Sequence, residues 1–142
     1  MASSHCTLIE DVPSKPGWVL RRDAGSAVAP SVSFEVVFGR WPTLNLVYLQ
    51  SFAGTAFGDV DLCIVFKGAR PCRPYTLRGQ HGGNATSQNR AEFLTLFMGD
   101  HQSGEYGSAG MSGFRVPPFA SGTVNLTLRS NNKFKLVSLH SC

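Results

Sequence analysis

The fold is decided by the stretch GTVNLTLRSNNKFKLVSLH at residues 122–140. Its two runs, 122–129 and 133–140, alternate apolar and polar residues with a period of two, the pattern of half-buried β-strands. The intervening Ser130-Asn131-Asn132 is composed of turn-forming residues and predicts a hairpin connection. In the second run, Phe134 and Leu136 face away from Lys133 and Lys135. We therefore predict that an antiparallel pair of strands closes the chain.

The same alternation recurs upstream. Further strands are predicted at 18–20, 32–38, 44–52, 59–66, 75–77 and 91–98. This makes seven to nine short strands spaced by about 8–12 residues, with no long amphipathic helix. The pattern predicts an all-β fold, a single antiparallel β-sandwich of jelly-roll type. We assign residues 1–15 to an extended lead-in and residues 16–142 to the sandwich domain.

Composition agrees with one folded domain. The chain has 142 residues, of which 42% are hydrophobic and 15% are charged, so disorder and a second core are both disfavoured. Its 15 glycines and 8 prolines suit tight turns better than long helices. No apolar run approaches the ~20 residues of a membrane-spanning helix. The net charge of +4 is dispersed, and no nucleic-acid recognition motif is visible, so we predict no nucleic-acid partner.

The four cysteines indicate disulfides rather than a metal site. They form no CxxC motif and match no zinc-binding spacing, and their even number allows two bridges in three pairings. We favour Cys6–Cys142, which would join the chain ends, and Cys63–Cys72, which would close a short turn-rich loop.

Two glycosylation sequons point to the same compartment. Asn84-Ala85-Thr86 lies in a polar loop and Asn125-Leu126-Thr127 in a predicted strand. Together with paired cysteines they favour a glycoprotein of the secretory pathway or the extracellular space. The first six residues carry no apolar signal segment, so we expect the chain to be a piece of a longer secreted protein.

Catalytic and metal chemistry have little support in the sequence. Ser103 near Asp100 and His101 has the residue types of a triad, but neighbours in a loop lack the rigid scaffold that a triad needs. Asp59 and Asp61 share one face of a predicted strand, yet calcium would need further oxygen ligands that the sequence does not place. We predict no catalytic residue, no metal and no cofactor.

Sugar recognition has better candidates. Sugar rings stack their C–H faces on aromatic side chains, and nearby polar groups bind the hydroxyls. Trp41 lies in a turn, and Tyr106 lies in the long glycine-rich loop at 99–113, whereas Trp18 and Tyr48 are predicted to be core residues. The candidate binding residues are the aromatic Trp41, Tyr75 and Tyr106 and the polar Arg73, Arg78 and His81.

Several segments also resemble a known family. They are Lys15-Pro16-Gly17-Trp18, residues 46–52, residues 72–79 and residues 132–142. Together they resemble the β-sandwich region that follows the hydrolase domain in algal and plant proteins of the SGNH (GDSL-like) type. Gln50, Phe52 and Arg78 depart from that pattern, and the GDS and Asp-x-x-His motifs of the hydrolase domain are absent. The resemblance implies an accessory module without esterase chemistry.

Residues and resemblance lead to one functional hypothesis. The chain is predicted to be a non-catalytic glycan-binding or accessory module of a secreted or Golgi-lumen protein of SGNH type. Its partner would be a glycan or cell-wall polysaccharide, or the adjacent hydrolase domain of a longer chain. The alternative is a purely structural domain that packs on a hydrolase or transferase partner.

Overall fold

The computed structural model describes residues 6–10, 16–22, 25, 27–67, 72, 74–83, 85–96, 116–129 and 133–142. These residues form ten strands and no helix. One sheet contains β1 (Cys6–Glu10), β2 (Pro16–Arg21), β4 (Thr43–Phe52), β7 (Gln80–His81), β8 (Gln88–Thr95) and β10 (Lys133–Ser141). The other contains β3 (Ser31–Val37), β5 (Val60–Phe66), β6 (Tyr75–Leu77) and β9 (Ser121–Leu128).

The two sheets stack as a β-sandwich, which confirms the predicted all-β class and sandwich architecture. The larger sheet has the order β1-β2-β10-β4-β7, with β8 also paired to β4, and the smaller has the order β3-β9-β5-β6. All pairings between these strands are antiparallel except the short parallel contact between β4 and β7. Nine of the described strands have three or more residues, within the predicted number.

The core lies between the sheets and is built from alternate residues of each strand. On β4, Leu44, Leu46 and Tyr48 are buried while the residues between them are partly exposed. Burying one such side chain contributes roughly 1.5–3 kcal/mol, which is what holds the layers together. The smaller sheet supplies the opposite side of the core through Val32, Val36, Val60, Leu62, Ile64, Leu77, Val124, Leu126 and Leu128.

Two aromatic residues predicted for the core are found there. Tyr48 is 1% exposed, and its ring lies 5.2 Å from that of Phe134. Trp18 is half-buried and meets Phe34 edge to face at 5.4 Å. Trp18 belongs to β2 and Phe34 to β3, so this aromatic contact joins the two sheets.

The structure differs from the predicted elements in three places. The lead-in at 1–15 contains β1, which pairs with β2 and extends the sheet toward the N-terminus. Strand β8 begins at Gln88, earlier than predicted, because its first residues are polar and hide the apolar pattern. In β10 the register shifts between Leu136 and Ser138, so the predicted alternation is interrupted by a β-bulge.

One of the two predicted disulfides is confirmed. Cys63 and Cys72 are bonded, with their Cα atoms 5.8 Å apart. Cys63 lies in β5 and Cys72 follows that strand, so the bridge closes the connection after β5. The predicted Cys6–Cys142 bridge is wrong, because Cys142 is an exposed free thiol.

The strand registers explain this error. Cys6 is opposite Leu20, and Leu20 is opposite Phe134, whereas Cys142 follows Ser141 at the other end of β10. Eight residues of extended strand separate Phe134 from Cys142, which is roughly 26 Å, and a disulfide needs Cα atoms within about 7 Å.

Removing the bridge should destabilise the sandwich. We expect the double variant Cys63→Ala/Cys72→Ala to lose about 2.5–3 kcal/mol of unfolding free energy, because the short loop is no longer closed in the unfolded chain. Cys142→Ser is the matched control and should change stability by less than about 0.5 kcal/mol. Urea denaturation measures both; a large loss in Cys142→Ser would restore the rejected pairing.

Candidate functional site

The inner face of β4 and β8 changes from apolar to polar along its length. Cross-strand partners on this face run from Leu44 and Leu94 through Leu46 and Glu92 to two polar pairs. These last pairs are Tyr48 with Arg90 and Gln50 with Gln88. Gln88 and Arg90 are exposed although they lie on the inward face, so the smaller sheet does not cover this part of the larger one.

The uncovered part forms a cleft of about 440 Å³. One side is the inner face of β4 and β8, and the other is the edge strand β6 with the segment that continues into β7. The lining is mostly polar: Tyr48, Gln50, Tyr75, Thr76, Arg78, Gln80, His81, Gly82, Gln88, Arg90 and Glu92.

A buried carboxylate lies where the core meets the cleft. Glu92 is 5% exposed, and its Oε1 accepts hydrogen bonds from Arg90 Nε at 3.0 Å and from the Tyr48 hydroxyl at 3.4 Å. Such a carboxylate needs a cation and donors to offset its desolvation. Burial raises the pKa of Tyr48, and the charge of Glu92 raises it further. The hydrogen bond to Glu92 raises the pKa of Arg90. Tyr48 therefore stays a neutral donor and Arg90 a cation.

Three glutamines fix the floor of the cleft. Gln50 Nε2 donates to the carbonyl of Arg78 at 3.1 Å, and Gln88 Nε2 donates to Gln50 Oε1 at 3.3 Å. Gln80 Nε2 donates to the carbonyls of Thr55 at 3.1 Å and Phe57 at 2.8 Å. These bonds tie β4, β7 and β8 into one preorganised surface.

Gly79 allows the chain to approach β4 and start β7. A Cβ at this position would clash with the backbone of Gly58, so only glycine fits the close approach. The Gly79 N–H donates to Asp59 Oδ1 at 3.1 Å, and its carbonyl accepts the Ser51 N–H at 2.9 Å. Arg78 and Gln80 are thereby held on either side of this anchored residue.

Three of the predicted binding residues line the cleft together. Tyr75 stands on β6, Arg78 is exposed just beyond it, and no carboxylate of the described residues is bonded to the Arg78 side chain. His81 is engaged by the main chain: Nδ1 accepts the Gly83 N–H at 3.0 Å, and Nε2 lies 2.8 Å from the Thr86 carbonyl. With Nδ1 accepting from Gly83, Nε2 is the ring nitrogen that donates to the Thr86 carbonyl. His81 therefore shapes the cleft and has no spare donor.

The other predicted residues lie elsewhere. Trp41 is in the turn before β4, at the opposite end of the sandwich. Asn125 is half-buried on the outer face of β9, where its Oδ1 accepts the Ser33 hydroxyl at 2.6 Å. The predicted Arg73, Tyr106 and Asn84, and the triad candidates Asp100, His101 and Ser103, lie outside the described residues.

The two acids considered for calcium are bound to protein groups. Asp61 Oδ2 lies 3.4 Å from Arg129 Nε, and Asp61 Oδ1 accepts the Thr76 hydroxyl at 3.1 Å. Asp59 accepts the Gly79 N–H. Within the described part of the chain, no group of three or more His, Cys, Asp or Glu side chains is placed to hold a metal. A second recess of about 410 Å³, lined by Asp59, Thr76, Arg78, Gln80 and Arg129, adjoins the cleft.

Three of the residues that sequence reasoning missed share one signal. Gln88, Arg90 and Glu92 occupy every second position before the buried Leu94 and Leu96. Polar residues at the inward positions of a strand mark a stretch that is not covered by a core. Reading β8 backward from its leucines would have extended the strand and shown this polar face.

Comparison with known proteins supports the fold. No family model matches the sequence, and no curated protein is detectably similar, so the resemblance to SGNH-associated regions stays a prediction. Solved structures of similar fold include an exo-beta-agarase, with a TM-score of 0.55 and 9% identity over 98% of this chain and 25% of that one. A weaker match, on which no argument rests, is the CBM35 of Paenibacillus barcinonensis, with a TM-score of 0.44 and 9% identity over 99% of this chain and 94% of that one. None of the described segments is a helix that could cross a bilayer.

The burial of Tyr48, together with its contact to Glu92, should make the protein less stable at alkaline pH. The folded state keeps the Tyr48 proton above pH 10, where an unfolded tyrosine loses it. Stability contributed by Tyr48 is therefore present below about pH 10 and is lost as pH rises above it. We expect wild type to lose more unfolding free energy than Tyr48→Phe between pH 8 and pH 11 in urea titrations. Equal losses in the two proteins would contradict this role.

Proposed function

We propose that the protein is a non-catalytic carbohydrate-binding module and that the cleft between β4–β8 and β6 binds sugar residues of a polysaccharide. The observation that carries the proposal is the cleft itself, a recess lined by amide, guanidinium and hydroxyl groups beside the partly exposed ring of Tyr75. Sugar hydroxyls require paired donors and acceptors of this kind, and the C–H faces of sugar rings require an aromatic surface.

The cleft is also rigid enough to bind without large reorganisation. Gln50 and Gln80 are held by main-chain carbonyls, and Glu92 is held by Arg90 and Tyr48. Groups fixed before binding lose little conformational freedom on contact with the ligand. The Arg90 side chain is 45% exposed and uses Nε for Glu92, which leaves its terminal donors for a ligand.

A similar fold supports an accessory role in a longer chain. The matched exo-beta-agarase is about four times as long as the part that resembles this protein. We extend the proposal to the context predicted from the sequence, an SGNH-type hydrolase of the secretory pathway or extracellular space. We also propose that Asn84 and Asn125 are glycosylated.

Native gels containing dissolved agarose, xylan, alginate or polygalacturonate test the binding. Wild type should be retarded by at least one polymer, and Arg78→Ala should lower its affinity about tenfold or more, because a hydrogen bond from a charged donor contributes roughly 1.5–3 kcal/mol. Lys67→Ala is the charge-matched control. Lys67 is exposed and follows the last residue of β5, whereas β6 pairs with the start of that strand. Tyr75→Ala should weaken binding, and Tyr75→Phe should retain most of it.

The free guanidinium of Arg78 predicts a preference for acidic sugars. Alginate and polygalacturonate should bind more tightly than agarose and xylan, and raising the salt concentration should narrow the difference, because exposed charges are screened. Isothermal titration at low and high salt measures this. Absence of binding to every polymer would refute the module assignment, whereas binding of neutral polymers alone would refute only the preference.

A further inference from the structure

The end of the sandwich opposite the cleft presents exposed aromatic side chains on two joined turns. One turn, residues 38–42, connects β3 to β4, and the other, residues 117–120, leads into β9. Phe38 N–H donates to the Ala120 carbonyl at 2.9 Å, and Phe119 N–H donates to the Gly39 carbonyl at 3.0 Å. Trp41 on the first turn is 61% exposed, and Phe119 on the second is 70% exposed.

Phe119 is held in a conformation that disfavours it. Its φ of 59° lies in the left-handed region, where a bulky side chain is strained and glycine or asparagine is preferred. The turn is closed by the Ala120 N–H on the Pro117 carbonyl at 3.3 Å and is stiffened by two successive prolines. Burial does not offset this strain, because most of the ring is in water. Strain of this kind at an exposed side chain points to function.

Trp41 lies on the other turn and contacts a neighbouring cation. The Arg40 guanidinium lies 5.3 Å from the centre of the Trp41 ring, a cation–π contact that orients the indole. Val37, at the end of β3, is also exposed. We call Val37, Trp41 and Phe119 the aromatic end.

The aromatic end and the cleft stand at opposite ends of β4. Thr43 starts that strand next to the turn of Trp41, and Gln50 lies in the floor of the cleft. Seven residues of strand separate them, which is about 24 Å. A single small sugar cannot reach both places, whereas a polymer can.

We propose that the aromatic end is a second binding surface for the polysaccharide held in the cleft, with sugar rings stacked on Trp41 and Phe119. This inference rests on the proposed function. Two weak contacts on one polymer raise the affinity through effective concentration, with no change in either contact. The surface is too small for a stable protein partner: its three side chains expose at most roughly 400 Å², against the ~800 Å² that each partner of a typical interface buries.

The test compares a polymer with its own short oligosaccharide. Phe119→Asn keeps a residue that tolerates positive φ and removes the ring, and Phe119→Tyr keeps the ring as the matched control. For the polymer that retards wild type among agarose, xylan, alginate and polygalacturonate, Phe119→Asn and Trp41→Ala should each lower the affinity about tenfold. Both variants should bind the trisaccharide of the same polymer with unchanged affinity. The Tm of Phe119→Asn should equal or exceed that of wild type.

Other outcomes overturn the inference. If polymer affinity is unchanged in Phe119→Asn/Trp41→Ala while Arg78→Ala still lowers it, the cleft acts alone and the proposed function stands. If the Tm of Phe119→Asn falls by several degrees, the ring has a structural role. If wild type forms a dimer in sedimentation that Phe119→Asn abolishes, the surface binds a second copy. If wild type binds no polymer, both proposals fail.

Discussion

Strand β4 is hydrogen-bonded to β10 and β8 along the same residues, and the rest of the molecule depends on that double pairing. Because both edges are occupied, its side chains must alternate strictly between the two faces of the sheet. The inner face begins with leucines that bind the second sheet and ends with Tyr48 and Gln50, which the second sheet leaves open. One strand thus supplies both apolar side chains of the core between the sheets and the floor of the cleft.

A buried carboxylate lies between these two halves, and two neighbouring side chains compensate its charge and hydrogen-bonding needs. Glu92 faces inward opposite Leu46, where an unpaired carboxylate would be strongly unfavourable. Tyr48 and Arg90 satisfy it from the neighbouring positions of the same face. The carboxylate in turn orients the guanidinium toward the cleft. The polar group that is hardest to bury is therefore also the one that arranges the donors of the site.

Local pattern predicted what local chemistry controls. The alternation of residues 122–129, that of residues 133–140 as far as the bulge after Leu136, the short strand at 75–77 and the Cys63–Cys72 bridge could all be predicted, since each involves neighbours in sequence. The pairing of Cys6 with Cys142 was wrong because nothing local tells which end of a sheet a cysteine will reach. In the site, Tyr75, Arg78 and His81 follow one another along the chain. Their partners on β8 required knowledge of the register with β4, which arises from long-range packing.

The turn at Pro117-Pro118-Phe119 has a consequence for laboratory evolution. In a library of variants selected only for stability at high temperature, Phe119 should be replaced early, since glycine or asparagine at this position relieves the backbone strain. The enriched clones would look improved by every biophysical criterion of the isolated domain. If the ring binds a ligand as proposed, comparing selections would show it: the phenyl ring at 119 would persist where binding to that ligand was selected and be lost where only stability was.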